Sequence, residues 1–158
     1  MKKKVMRIGV ALALSILVAG ITNAQGGAKK GPDVSRDPDM EKESLHNLEV
    51  ARQYYKLRKA YVATLQRCEE VLAGNPDFSK IDEVLFLAGE SSLNLAEAKG
   101  KQKPDQYIGG HLTPDQFREK ARDYLSQLVN EHPQSKFRDE ALADLKSLGG
   151  LKPKESKP

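Results

Sequence analysis

Apolar residues recur through the middle of the chain at helical spacing. Tyr61, Leu65, Cys68 and Leu72 follow one another in steps of four, three and four, which puts all of them on one face of an α-helix. A Gly74-Asn75-Pro76 run ends that segment, because proline cannot donate to the helix and disfavours helical geometry in the residue before it. Upstream, Leu45, Leu48, Ala51, Tyr54 and Tyr55 form another stripe. Asp39, Glu41 and Glu43 cluster in its first turns, where negative charge favours the helix dipole. The pattern predicts one helix over 39–57 and a second over 60–73. They meet near Leu57 to Lys59 and fold back on each other.

Three more helices follow. The third starts with Ser79 as its N-cap and carries Ile81, Val84, Leu85, Ala88, Ser92 and Leu95 on one face. Phe86, Leu87 and Leu93 widen its apolar surface, so it is expected to be the most buried. Ala88, Gly89, Ser91 and Ser92 form a small-residue patch. Glycine costs about 1 kcal/mol relative to alanine inside a helix, and close approach of a neighbouring helix is the simplest compensation. The fourth helix opens on a capping box: Thr113 as N-cap, Pro114 at the first helical position, Gln116 reaching back. Phe117, Ala121, Tyr124, Leu125, Leu128 and Val129 are its apolar positions, and Pro133 lies just beyond it. The fifth is expected over 136–148, capped by Ser135, with Phe137, Ala141, Leu145 and Leu148 inward and Gly149-Gly150 as its stop.

Between the third and fourth helices, residues 99–112 lose the helical pattern. Glycines, Pro104 and three lysines make a loop whose length points to function or disorder. Helices one and two, and helices three and four, share one grammar. Each pair ends in a proline (Pro76, Pro133) followed within a few residues by an aromatic (Phe78, Phe137), and each second helix closes with paired aliphatics, Val71-Leu72 and Leu128-Val129. A repeat of about 34 residues built from two antiparallel helices is the tetratricopeptide pattern. Gly89, Ala121 and Pro133 resemble the glycine, alanine and proline of that consensus. Gly89 and Ala121 lie 32 positions apart, against roughly a dozen in an uninterrupted repeat, so 99–112 reads as an insertion. The expected fold is all-α: about two tetratricopeptide-like helical hairpins plus a C-terminal capping helix, over residues 39–148. So short an array is expected to be completed by a partner or by a second copy of itself, as a homo-oligomer.

The ends have a different character. Residues 1–24 combine a basic start (Lys2, Lys3, Lys4, Arg7), an apolar middle from Ile8 to Ala19, and Thr22-Asn23-Ala24, the layout of a secretory signal peptide cleaved after about Ala24. The apolar middle is about a dozen residues, short of the roughly twenty that span a bilayer. Residues 25–38 are a flexible leader, and 149–158 a charged tail expected to be disordered. Export also changes the charge. The chain holds 26 basic and 22 acidic residues; removing the four basic residues of 1–24, a stretch with no acidic one, leaves 22 of each sign. A formally neutral surface argues against a nucleic-acid partner. Cys68 is the single cysteine, so the fold must stand on its apolar core rather than on disulfides. No cysteine stands at the expected cleavage point after the apolar segment either, so no lipid anchor is expected.

The run Tyr54-Tyr55-Lys56-Leu57-Arg58-Lys59-Ala60-Tyr61-Val62-Ala63, then Arg67, Val71-Leu72 and Pro76-Asp77, resembles the helical hairpin of BamD-like outer-membrane-assembly lipoproteins. The resemblance covers about Leu48 to Leu95 and extends, more weakly, over Phe117 to Leu148. It implies a tetratricopeptide scaffold in the periplasm, peripheral to the outer membrane, that works by holding other envelope proteins. Members of that family carry a lipid-bearing cysteine and a longer array; this chain departs on both counts.

The residues offer no catalytic constellation. His46, His111 and His132 fall on the first helix, the inserted loop and a helix end, no two of them at i, i+4 spacing. Metal ligation needs three or four convergent ligands, and neither a metal nor a cofactor is expected. Tyr54, Tyr55, Arg58 and Tyr61 are of the residue types that dominate binding hot spots, and they are the candidate protein-binding residues, with Tyr107 of the inserted loop as a second surface. The expected function is a non-catalytic scaffold for envelope proteins, in outer-membrane protein assembly. An adaptor of cell-wall machinery and a small-ligand-binding helical bundle are the alternatives.

Overall fold

A computed structural model describes residues 36–153. The expected signal peptide, most of the leader and residues 154–158 lie outside the described residues. Within them the chain is all helical: α1 (Pro38–Gln53), a π turn (Tyr54–Arg58), α2 (Tyr61–Gly74), α3 (Ile81–Ala96), a short 3-10 turn (Pro104–Gln106), α4 (Pro114–Glu131) and α5 (Arg138–Ser147). Successive helices pack on each other, α1 on α2, α2 on α3, α3 on α4 and α4 on α5.

Each boundary has a local cause, and several differ from expectation. The start of α1 takes in two residues assigned to the leader. Asp37 is its N-cap, accepting from the Asp39 N–H at 2.9 Å, and Pro38 occupies the first turn, where its missing N–H costs nothing. Its far end does not run on to Leu57 as an α-helix. The last turn widens into the π turn, Lys59 takes a left-handed conformation (φ 49°), and the Ala60 N–H donates to Tyr54 O at 3.0 Å. The chain reverses there, as the sequence pattern required.

Neither serine expected as a cap serves as one. The helix α3 begins after Lys80, and the Ser79 N–H donates instead to the Glu41 carboxylate at 3.2 Å. The N-cap of α5 is Phe137; Ser135 Oγ accepts from the Phe137 N–H and donates to Asp82 Oδ2 at 2.7 Å, tying the α4–α5 turn to α3. Thr113 does close its capping box, Oγ1 accepting the Gln116 N–H at 3.3 Å while Gln116 Oε1 accepts the Thr113 N–H at 2.8 Å. At the end of α5, Gly149 and Gly150 have φ of 87° and 91°, and the Gly150 N–H donates to Leu145 O at 2.7 Å, the bond that closes a Schellman turn.

The core divides into two clusters. One gathers Leu48, Tyr61, Val62, Leu65, Cys68, Phe78, Val84, Leu95 and Phe117, and the other Leu85, Phe86, Leu125, Leu128, Ala141 and Leu145. Because α3 contributes to both, it is the most buried helix. Burying one leucine of this kind is worth about 1.5–3 kcal/mol. The inserted loop belongs to the first cluster, since Tyr107 is 6% exposed and packs edge-on against Phe117, their ring centroids 5.7 Å apart. The start of the tail is also held. The Lys152 N–H donates to Ser126 Oγ at 3.0 Å, Asn130 Nδ2 donates to Lys152 O at 3.0 Å, and Lys152 Nζ pairs with Glu119 and Asp123. Residues 151–153 therefore lie along α4 rather than forming part of a disordered tail.

Candidate protein-binding surface

The five residues singled out in the sequence do not form one patch. Successive residues of a helix point about 100° apart, and the π turn changes the sequence of directions once more. Tyr61 is buried (9% exposed) as the first residue of α2, and Tyr107 is buried beneath the inserted loop, so neither ring is offered to a partner. Tyr54 and Arg58 stay together at the tip of the first hairpin, the guanidinium 5.5 Å from the ring centroid. Tyr55 turns the other way. Its ring meets Tyr61 edge-on at 5.4 Å, and its hydroxyl donates to Glu90 Oε2 at 3.0 Å, joining the π turn to α3.

That bond is one of a row of links among the first helices of the hairpins and α5. Arg52 on α1 makes a two-pronged pair with Glu83 on α3, Nε to Oε1 and Nη2 to Oε2, both at 2.6 Å. This hydrogen bond to Arg52 holds the Glu83 carboxyl below its usual range. Further along α3, Phe86 stacks on Phe137, centroids 4.7 Å apart and planes 14° from parallel, with Lys136 Nζ 4.7 Å from the Phe137 centroid. Last comes a carboxyl pair, Glu90 of α3 with Asp144 of α5. Burial, then a hydrogen bond and repulsion from Asp144, push Glu90 up to about 7. When protonated, Glu90 can donate to Asp144, whose Oδ2 is otherwise buried without a partner. One face of α1, α3 and α5 thus carries Arg52, Tyr55, Glu83, Glu90, Phe137 and Asp144, each half-buried.

A second polar cluster holds the inserted loop down. Glu69, on α2, accepts from the Tyr107 hydroxyl at 2.7 Å and the Tyr124 hydroxyl at 2.8 Å, and pairs with Lys120 Nζ at 2.8 Å. Burial and the Glu69 charge push both tyrosine hydroxyls up, so they remain donors at every pH at which the fold is used. Glu69 therefore serves as an anchor, where its neighbour Glu70 is solvated and pairs only with Arg67. Apolar Leu65, Cys68 and Leu72 around Glu69 were the available signal that it sits at the edge of the buried stripe.

Other candidate chemistry is dispersed. Cys68 is fully buried, and burial raises its thiol far from the thiolate form. His46 and His111 are exposed on α1 and the inserted loop, while His132 ends α4. His132 lines an open cleft of about 500 Å³ between the two proline turns, together with Asp77, Asp82, Pro133 and Ser135. The two turns that looked alike in sequence are neighbours in space. Among the described residues no group of three or more His, Cys, Asp or Glu side chains converges as metal ligands would. Set against protein-family models, curated proteins and solved structures, the chain matches none of them.

Proposed function

We propose that this protein is a non-catalytic protein–protein interaction scaffold of the tetratricopeptide type, working among periplasmic envelope proteins in outer-membrane protein assembly. The observation that carries the reading is the face of α1, α3 and α5. It presents arginine and aromatic side chains, the types that dominate binding energetics, at half-buried positions whose orientation is already set by cross-helix bonds. A surface held in place before binding loses little side-chain freedom when a partner arrives. Two helical hairpins followed by a single helix suit the repeat reading, as does the absence of a side chain at Gly89, where α4 crosses. The resemblance of residues 48–95 to BamD-like lipoproteins supplies the cellular setting.

Photo-crosslinking in intact envelopes tests it. A benzophenone side chain at Glu140, exposed on α5 beside Glu90, should give adducts with proteins of the outer-membrane assembly machinery. The same probe at Gln127, exposed on α4, should not. Equal adducts at both positions, or none at Glu140, would remove the proposal.

A further inference from the structure

The tip of the first hairpin and the start of the inserted loop are one surface. The Lys101 N–H donates to Lys59 O at 3.0 Å, and Gln102 Oε1 accepts the Ala63 N–H at 2.9 Å. Between these bonds Gly100 (φ 94°) lies so close that a Cβ there would fall 2.6 Å from Lys59 O and from the Tyr61 ring. Two basic stretches distant in sequence are thereby held side by side. Residues 56–59 and 99–103 contain Lys56, Arg58, Lys59, Lys99, Lys101 and Lys103 and no acidic residue. All six cations are exposed, and among the described residues their one ion pair is Lys99 with Glu97. The rest of residues 36–153 carries 12 basic against 20 acidic side chains, so the near-neutral total conceals a strongly polarised molecule. Leu57, 77% exposed, stands among the cations.

We propose that this basic tip docks on an anionic lipid bilayer surface, with Leu57 entering the headgroup region. Three features favour a lipid plane over a soluble acidic partner. Five of the six cations are lysines, point charges on flexible stems that suit a mobile array of headgroups; fixed carboxylates on a protein are better matched by the planar fork of arginine. A large aliphatic side chain amid lysines is the pairing that peripheral membrane segments use, charge for approach and apolar area for retention. The acidic remainder of the molecule is repelled by the same plane, so attraction at a single end fixes orientation as well as contact. This surface borders the α1–α3–α5 face where Tyr55 meets Tyr61 but uses none of that face's residues, and it stands or falls independently of the scaffold reading.

The chain has no tryptophan, so Leu57→Trp places a single reporter at the tip of the full-length protein. In vesicles of phosphatidylcholine with 30 mol% phosphatidylglycerol, its emission should shift to the blue and be quenched by brominated acyl chains. In pure phosphatidylcholine it should do neither, whether or not residues 1–35 bring the protein to the vesicle. Adding Lys56→Glu and Lys101→Glu should lower the apparent affinity of that signal by roughly tenfold or more, and salt near 0.5 M should act in the same direction. Lys146→Glu, an exposed charge reversal on α5, should leave it unchanged. Unshifted emission while the protein co-floats with anionic vesicles would overturn the proposal. An equal blue shift with soluble poly-glutamate would overturn it in favour of an acidic protein partner.

Discussion

A Cβ placed on Gly89 would fall 2.6 Å from both Cγ and Cδ2 of Leu125, so α3 and α4 cross where no side chain fits. Leu125 is completely buried within the second core cluster. Alanine would gain about 1 kcal/mol of helix propensity at this position. Overpacking typically costs about 1–3 kcal/mol and here should win. Gly89→Ala is expected to lower the urea midpoint. Combined with Leu125→Ala it should cost less than the two single changes together, because the second substitution opens the space the first requires. An additive pair would refute the packing account.

The inserted loop should be only as protected as its anchor. Tyr107→Phe removes one hydroxyl from Glu69, which keeps Tyr124 and Lys120, and should cost about 1 kcal/mol. Glu69→Ala leaves two half-buried hydroxyls and an ammonium without their acceptor. Trypsin should then cut after Lys99 and Lys101 markedly faster than in the parent protein, while cleavage after Lys146 keeps its rate. Unchanged loop cleavage would show that Tyr107 is held by its ring alone.

Thr113→Ala should destabilise by about 1 kcal/mol, since both halves of the capping box at α4 are formed. Thr113→Ser should restore most of that loss in thermal melts. The equivalent change at Ser79 is expected to do much less, because its hydroxyl caps no helix.

The Glu90–Asp144 pair predicts a dependence on pH. With Glu90 raised to about 7 in the folded protein, the folded state holds a proton that the unfolded chain gives up near 4.5. The stability that this proton contributes is complete below about 4.5 and is lost as pH rises towards 7. Glu83 acts in the opposite sense and at lower pH, since Arg52 depresses it and its contribution is lost only as the carboxylate protonates in acid. Melting temperature should therefore fall between pH 5 and pH 8, and Glu90→Gln should flatten that slope and raise the value at pH 8. A slope unaffected by Glu90→Gln would assign the titration elsewhere.

Much of this architecture was legible in the chain. The steps Tyr61, Leu65, Cys68 and Leu72, the capping box at Thr113 and the Gly149-Gly150 stop are signals between residues a few positions apart, and helices obey such signals locally. The helix order, the hairpin reversal near Lys59 and the close approach at Gly89 followed from them. Caps were read less well. Whether a serine caps depends on the backbone angles around it: Ser79 lies two residues ahead of α3 with its N–H bonded to Glu41, and Ser135 three ahead of α5 with its hydroxyl shared between the Phe137 N–H and Asp82.

The sequence by itself determined five amphipathic helices, their breaks and their shared hairpin grammar, because periodicity and proline act over one or two turns. Only the tertiary structure decided what the polar residues do. It split Tyr54, Tyr55 and Tyr61 among tip, face and core, and sank Tyr107. It also joined Glu69 to Tyr124 across 55 residues and set Lys59 against Lys101. Such pairings depend on which helix faces meet, and a helix reveals its apolar stripe without revealing which neighbour will cover it.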